Sequence, residues 1–144
     1  MKLVHHRIVL ATTEPIQVID ITQRVQALFE TTGIRDGMVT LISPHTTAHL
    51  NLNEREEMLQ RDMLAFLERL VPRDLDYLHN RNPVDDRPNA HAHLMGLFMN
   101  ASETIPIVGG RLMLGGWQSI FFCELDGPRP EREVRLQFLG LAGQ

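Results

Sequence analysis

The chain carries seven histidines in 144 residues, against one cysteine, one tryptophan and one tyrosine. Four of them fall in two short clusters, Pro44-His45-Thr46-Thr47-Ala48-His49 and Asn89-Ala90-His91-Ala92-His93, and His79 lies between the two. Histidine titrates near neutrality and is the commonest metal ligand, so such clusters suit acid–base work or metal binding. Three histidines from separate segments, with a fourth position left to water, are one way to build an open catalytic zinc site. Cys123 is the single cysteine, so any metal centre must draw on His, carboxylate and water. Such a donor set suits several divalent ions, zinc foremost.

Spacing limits which of these side chains can cooperate. His91 and His93 point the same way on a strand but diverge by about 200° on a helix. A metal-binding double-stranded β-helix would need both on one strand, and the spacing of Leu94, Leu97 and Phe98 predicts a helix there instead. His45 and His49 can share a face on either element. Thr46, Thr47, Glu54, Asp85 and Asp86 give the clusters polar company, whereas His5 and His6 have none. Asp62 stands at the border of an apolar helix face, where a carboxylate needs a partner or a site to serve. Arg111, Arg129, Arg132 and Arg135 have the fork geometry that binds phosphate or carboxylate. The pairs Gly109-Gly110 and Gly115-Gly116 lack the Lys-Ser/Thr of a phosphate loop and read as hairpin turns. Trp117 and Gln118 open an apolar run, with Trp117 read as core.

The elements that must position these residues are strands at both ends with helices between. Strands are predicted over 2–12 and 16–21, with Glu14-Pro15 as the turn between them. Thr22 is read as the cap of a helix bearing Val25, Leu28 and Phe29, stopped by Gly33. A buried strand covers 38–43, Pro44 interrupts it, and 48–52 resume extended. The clearest helix runs over 54–70, capped by Asn53 with Glu56 as capping-box partner and ended by Pro72. A long polar loop follows over 72–89, of a length that is often functional. A helix is predicted over 92–100, with Leu94, Leu97, Phe98 and Ala101 on one face. Strands then return at 104–108, 111–114 and 117–125, and Val134, Leu136 and Phe138 alternate with polar residues. This order predicts an α+β fold, one compact domain over 1–144 with mostly antiparallel sheets and about three helices.

Composition narrows the function. Apolar residues make up 43% and charged residues 22%, as in ordinary globular domains. Fourteen basic against eighteen acidic residues give a net charge of −4, which disfavours a general nucleic-acid or anionic-membrane binder but leaves room for a local basic pocket. No signal peptide and no apolar stretch of about 20 residues is visible. A soluble cytoplasmic protein is the expectation.

The motifs are specific enough to carry a family resemblance. Ser102-Glu-Thr-Ile-Pro-Ile-Val-Gly-Gly-Arg-Leu-Met-Leu-Gly-Gly-Trp-Gln-Ser-Ile resembles the signature of the YjbQ-like family. Pro44-His-Thr-Thr-Ala with Asn53-Glu54, Arg61-Asp62-Met63, Tyr77-Leu-His79 with Asp85-Asp86, Asn89-Ala-His91-Ala-His93-Leu94 and Glu124-Leu-Asp-Gly-Pro-Arg129 are similar to further family blocks, in order, over about residues 2–140. The resemblance implies a trimer with a His-rich site near subunit contacts. It also implies a secondary thiamine-phosphate synthase activity, which joins a pyrimidine-methyl diphosphate to a thiazole phosphate and releases pyrophosphate.

Carried over residue by residue, His45, His79 and His93 match the family's site histidines, with His91 as an alternative ligand. Glu54, Asp62 and Glu124 match its acidic positions, and with His45, Thr46 and Thr47 they form the expected catalytic set. Trp117, Gln118 and Arg129 are the expected substrate contacts. The partners implied are a small phosphorylated metabolite and further copies of the chain; a non-catalytic ligand- or metal-binding module is the alternative. The sequence departs from the family pattern at Gly116 (usually Thr), His49 (usually small or polar) and Ala90 (usually Gly).

Overall fold

In the computed structural model, residues 1–143 are described. The strands are β1 (Lys2–Leu10), β2 (Gln17–Asp20), β3 (Ile34–Ile42), β4 (Ala48–Glu54), β5 (Ser102–Val108), β6 (Arg111–Leu112), β7 (Gln118–Glu124) and β8 (Arg132–Ala142). The helices are α1 (Thr22–Glu30), α2 (Glu57–Leu70), α3 (Leu78–Arg81) and α4 (Ala90–Met95), the last followed by a 3-10 turn over Gly96–Phe98. Two sheets form, in the orders β1-β8-β3-β5-β6 and β2-β7-β4. Every pairing between these strands is antiparallel, so the α+β single-domain expectation holds.

Period-two alternation explains how the sheets meet. Ile8 and Leu10 of β1, Val39 and Leu41 of β3, and Val134, Leu136 and Phe138 of β8 face one way. Ala48 and Leu50 of β4 and Ile120 and Phe122 of β7 face them from the second sheet, and Val25 and Phe29 of α1 close one end. The apolar run of β7 is continuous because this strand is covered on both sides. Its outer side carries Phe121 and Cys123, which line a small pocket together with Met63, Phe66 and Leu67 of α2. A smaller core joins Leu67 of α2 and Val71 just after it to Ala92 and Met95 of α4. Each large apolar side chain buried this way contributes roughly 1.5–3 kcal/mol before conformational entropy is counted.

Several local expectations are corrected. The long helix begins at Glu57, because Glu54 still pairs with Gln118 in the β4–β7 ladder. Glu56, not Asn53, caps it: the Glu56 side chain accepts from the Leu59 N–H at 2.8 Å, and Gln60 Oε1 accepts from the Glu56 N–H at 2.9 Å. Thr22 is the first helical residue, and its N–H donates to Asp20. The loop over 72–89 contains α3. Helix α4 starts two residues earlier than expected and ends at Met95, and Leu97 and Phe98 lie at the surface, 77% and 65% exposed. Trp117 is 80% exposed rather than core, because β7 begins only after it. The turn at Gly109-Gly110 has φ of 57° and 79°, the two positive values a tight two-residue hairpin requires.

Candidate functional site

The strand parity that builds the core also carries two charges inward. Glu124 continues the inward row of Ile120 and Phe122, and Arg132 begins that of Val134, Leu136 and Phe138. They meet as a buried ion pair, 0% and 3% exposed, with Arg132 Nη2 2.6 Å from Glu124 Oε2. Arg132 Nε also donates to both carboxylate oxygens, Thr12 Oγ1 donates to Oε1 at 2.8 Å, and Arg132 Nη2 donates to Thr47 Oγ1 at 3.0 Å. Both Glu124 oxygens are thus occupied. Glu124 and Thr47 hold Arg132 in place and do not present themselves to a reactant.

His45 sits beside this pair, in the turn that leads into β4. Its Nε2 accepts from the Glu133 backbone N–H at 3.0 Å, so its proton belongs on Nδ1. Burial, and then the nearby Arg132 guanidinium, hold its pKa below the usual histidine value. Thr46 is exposed, and its carbonyl accepts from His49 Nε2 at 3.3 Å. The His49 ring lies over Gly96, where a Cβ would come 2.2 Å from Nε2.

A second cluster forms where α3 and α4 meet the loop between β7 and β8. His79 Nε2 lies 2.9 Å from Asn89 Oδ1. Asn89 Nδ2 donates to Asp126 Oδ2 at 2.7 Å, so Asn89 Oδ1 is the acceptor and His79 Nε2 the donor. Arg87 Nε and Arg129 Nη2 also donate to Asp126 Oδ2, at 2.9 and 2.8 Å. Burial alone would raise the pKa of Asp126, but the hydrogen bonds from Arg87, Asn89 and Arg129 outweigh it and hold it at about 2. His93 stands edge-on to His79 with ring centroids 5.0 Å apart. Burial, then the neighbouring His79, lower its pKa. Tyr77, Leu78, His79, Ala90, His93 and Leu94 line an open pocket of about 410 Å³ here. Tyr77 is fixed by its hydroxyl, which donates to the Pro72 carbonyl at 2.6 Å.

His91 leaves α4 on the other side. It is 2% exposed, and its Nδ1 finds no hydrogen-bond partner among the described residues. An unpaired buried polar atom costs roughly 1–3 kcal/mol. With His91 on a helix, the strand-borne His-x-His arrangement does not form.

The expected site residues therefore divide. His79, His93 and Arg129 share the Asp126 cluster. His45, Thr47 and Glu124 share the Arg132 cluster. Glu54, Trp117 and Gln118 lie at the far end of the β4–β7 pair, where Glu54 pairs with Gln118 while Ala48 pairs with Glu124. Six residues of strand put these ends roughly 20 Å apart. Asp62 is exposed on α2 and forms no ion pair among the described residues. Among the described residues no three His, Cys, Asp or Glu side chains come close enough to hold a metal ion. The His45–His79–His93 set is thus not assembled within one chain, and the Nε2 of His45 is already occupied. The sequence motifs assign no site role to Asp126, Asn89 and Arg87, and they present Arg132 as a phosphate or carboxylate binder and not as the partner of a buried Glu124. For Arg132 a signal existed: it shares the parity of Val134 and Leu136, and a buried guanidinium needs a carboxylate.

Comparison with known proteins agrees with the motif blocks. The sequence profile described as "UPF0047 protein YjbQ-like" matches residues 6–141. A UPF0047 protein of Methanothermobacter thermautotrophicus is 39% identical over 140 residues, covering 97% of this chain and 94% of that protein. One from Archaeoglobus fulgidus is 42% identical over 125 residues, covering 87% of this chain and 94% of that protein. A crystal structure of a protein of unknown function from Sulfolobus solfataricus P2 superposes with a TM-score of 0.91 at 36% identity, over 97% of this chain and 99% of that one. A hypothetical protein from Aeropyrum pernix K1 superposes at 0.89 with 40% identity, over 95% of this chain and 98% of that one. With the profile spanning nearly the whole chain and the fold shared at this identity, the chain belongs to the YjbQ-like UPF0047 family.

Proposed function

We propose that this chain is a small-metabolite enzyme whose pocket beside His79 and His93 takes a phosphorylated substrate, with a transferase activity of the thiamine-phosphate synthase type as a side reaction. The pair of guanidinium groups held on Asp126 carries this reading. Two guanidinium groups, Arg87 and Arg129, share one carboxylate. Asp85 adds a second acid beside Arg87 and His93, and each guanidinium keeps further N–H donors for phosphate oxygens.

The chemistry asks for little else. The methylene carbon of a pyrimidine-methyl diphosphate loses its bond to oxygen and gains one to the thiazole nitrogen, and pyrophosphate leaves. The barrier lies in the charge that builds on the departing diphosphate, which fixed donors stabilise most effectively. Asp126 keeps both arginines oriented before substrate arrives. The neutral imidazole of His93 offers one N–H to a phosphate oxygen, and His79, held through Nε2, faces it with a defined tautomer. In the homotrimer that the family resemblance implies, a second copy can bring the Glu54–Gln118 end to the Glu124 end, roughly 20 Å away along one chain. A single buried free thiol, Cys123, fits a reducing compartment such as the cytoplasm.

The test is pyrophosphate release from the two synthase substrates, followed with the wild-type chain, Arg129→Gln and His93→Ala. Arg129→Gln is expected to lower kcat/KM by about 10- to 100-fold, the loss of one charge-assisted contact. His93→Ala is expected to lower kcat. Turnover unchanged in both variants removes this reading. Phosphate binding without turnover would favour a ligand-binding module instead.

A further inference from the structure

Helix α4 separates two pockets. Ala90, His93 and Leu94 face the histidine pair, while His91 and Met95, four residues apart on the opposite side, face a second cavity of about 660 Å³. This volume is in the range of pockets that enclose small organic ligands, roughly 300–1,000 Å³. Its walls are apolar where Ile16, Leu64, Val71 and Met95 line it. At its mouth Glu14, Glu68 and Asp74 stand against one cation, Arg73, and none of the four forms an ion pair among the described residues. At its base lies His91, almost fully buried, with Nδ1 unpartnered.

We propose that this cavity is a second small-molecule site, and that it takes a compact organic cation: an apolar ring or chain against the aliphatic walls and an ammonium group toward Glu14, Glu68 and Asp74. His91 is the one nearly buried polar side chain of the lining. Neither the apolar core nor the sheet ladders account for an imidazole here, since an apolar side chain would fill the position without an unpaired nitrogen. An anion is disfavoured by three carboxylates against one guanidinium. This site does not depend on the reading of the His79–His93 pocket, which lies on the other face of α4.

The test uses the full-length chain labelled at its histidine rings, with ring nitrogen shifts followed by NMR. Benzylamine, benzyl alcohol and benzoate serve as probes that keep the ring and change the charge. Disappearance of one signal in His91→Phe assigns that resonance. Glu68→Gln lies on the exposed face of α2 and leaves the fold intact if the His91 variant does not fold. Benzylamine is expected to shift the His91 nitrogens saturably and the His79 and His93 nitrogens little. Glu68→Gln is expected to weaken that binding by up to about fivefold, the value of one exposed charge pair. Benzoate is expected to leave His91 unmoved. Equal shifts from all three probes, tighter binding of benzoate, or no saturable response to benzylamine would each overturn the proposal.

Discussion

At Glu124 and Arg132, identity and parity decide the role together. A carboxylate in a family acidic position invites a catalytic reading, but at 0% exposure with both oxygens bonded it acts as the counter-ion of Arg132. Removing one partner of a buried pair strands the other charge, so Glu124→Ala is expected to destabilise the fold by about 3–5 kcal/mol, read as a shifted denaturant midpoint. Asp126 gives a pH signature. Its folded pKa, about 2, lies below the ordinary carboxylate value, so the folded state binds its proton less readily than the unfolded chain. Its stabilisation, about 2 kcal/mol from that shift, is present above about pH 4 and lost as the pH falls toward 2. Unfolding midpoints measured between pH 5 and 2 are expected to fall less steeply in Asp126→Asn than in wild type. Equal slopes would show that the network around Asp126 does not distinguish its charged form.

The helix start before α2 and the two faces of α4 show how elements are set by their neighbours. Asn53 followed by Glu56 has the pattern of a capping box, yet the β4–β7 ladder keeps residues to Glu54 extended and moves the start to Glu57, with Glu56 as the cap. Glu56→Ala is expected to cost about 0.5–2 kcal/mol in chemical denaturation, and Asn53→Ala much less. The reverse ranking would place the cap at Asn53 after all. Helix α4 shows the same dependence. Its short turn sends His91 and Met95 to one cavity and His93 to another, a division that the approximate 200° between His91 and His93 anticipates. The apolar spacing at Leu94, Leu97 and Phe98 identified a helical segment but not a buried face, because nothing among the described residues covers Leu97 and Phe98, 77% and 65% exposed.

For the whole molecule, the trimer that the family resemblance implies would cover exposed Leu97, Phe98 and Trp117 and could reunite the divided site residues. Light scattering is expected to give a mass near three times 16.4 kDa, and Phe98→Asp is expected to lower it without lowering monomer stability, since Phe98 is 65% exposed. A wild-type monomer would contradict both the assembly and a site shared between copies. If the site is shared, mixing Glu54→Ala with His93→Ala chains restores part of the synthase turnover that each has lost. Failure to complement would confine the site to one chain.

Read alone, the sequence determined the α+β class, the antiparallel strands, the two histidine clusters and the family, because periodicity and motif order are local properties of the chain. It also contained the inward parity of Arg132 and Glu124. What only the tertiary structure decided was which polar groups meet. Asp126 became the hub of Arg87, Asn89 and Arg129 through a loop and two helices that no local pattern links. His45 was engaged by a backbone N–H from β8, 88 residues away in sequence, and so parted from His79 and His93. Hydrogen bonds and ion pairs depend on distances of a few ångströms between segments far apart in the chain, and those distances are set only when both sheets and the α2–α4 layer have packed.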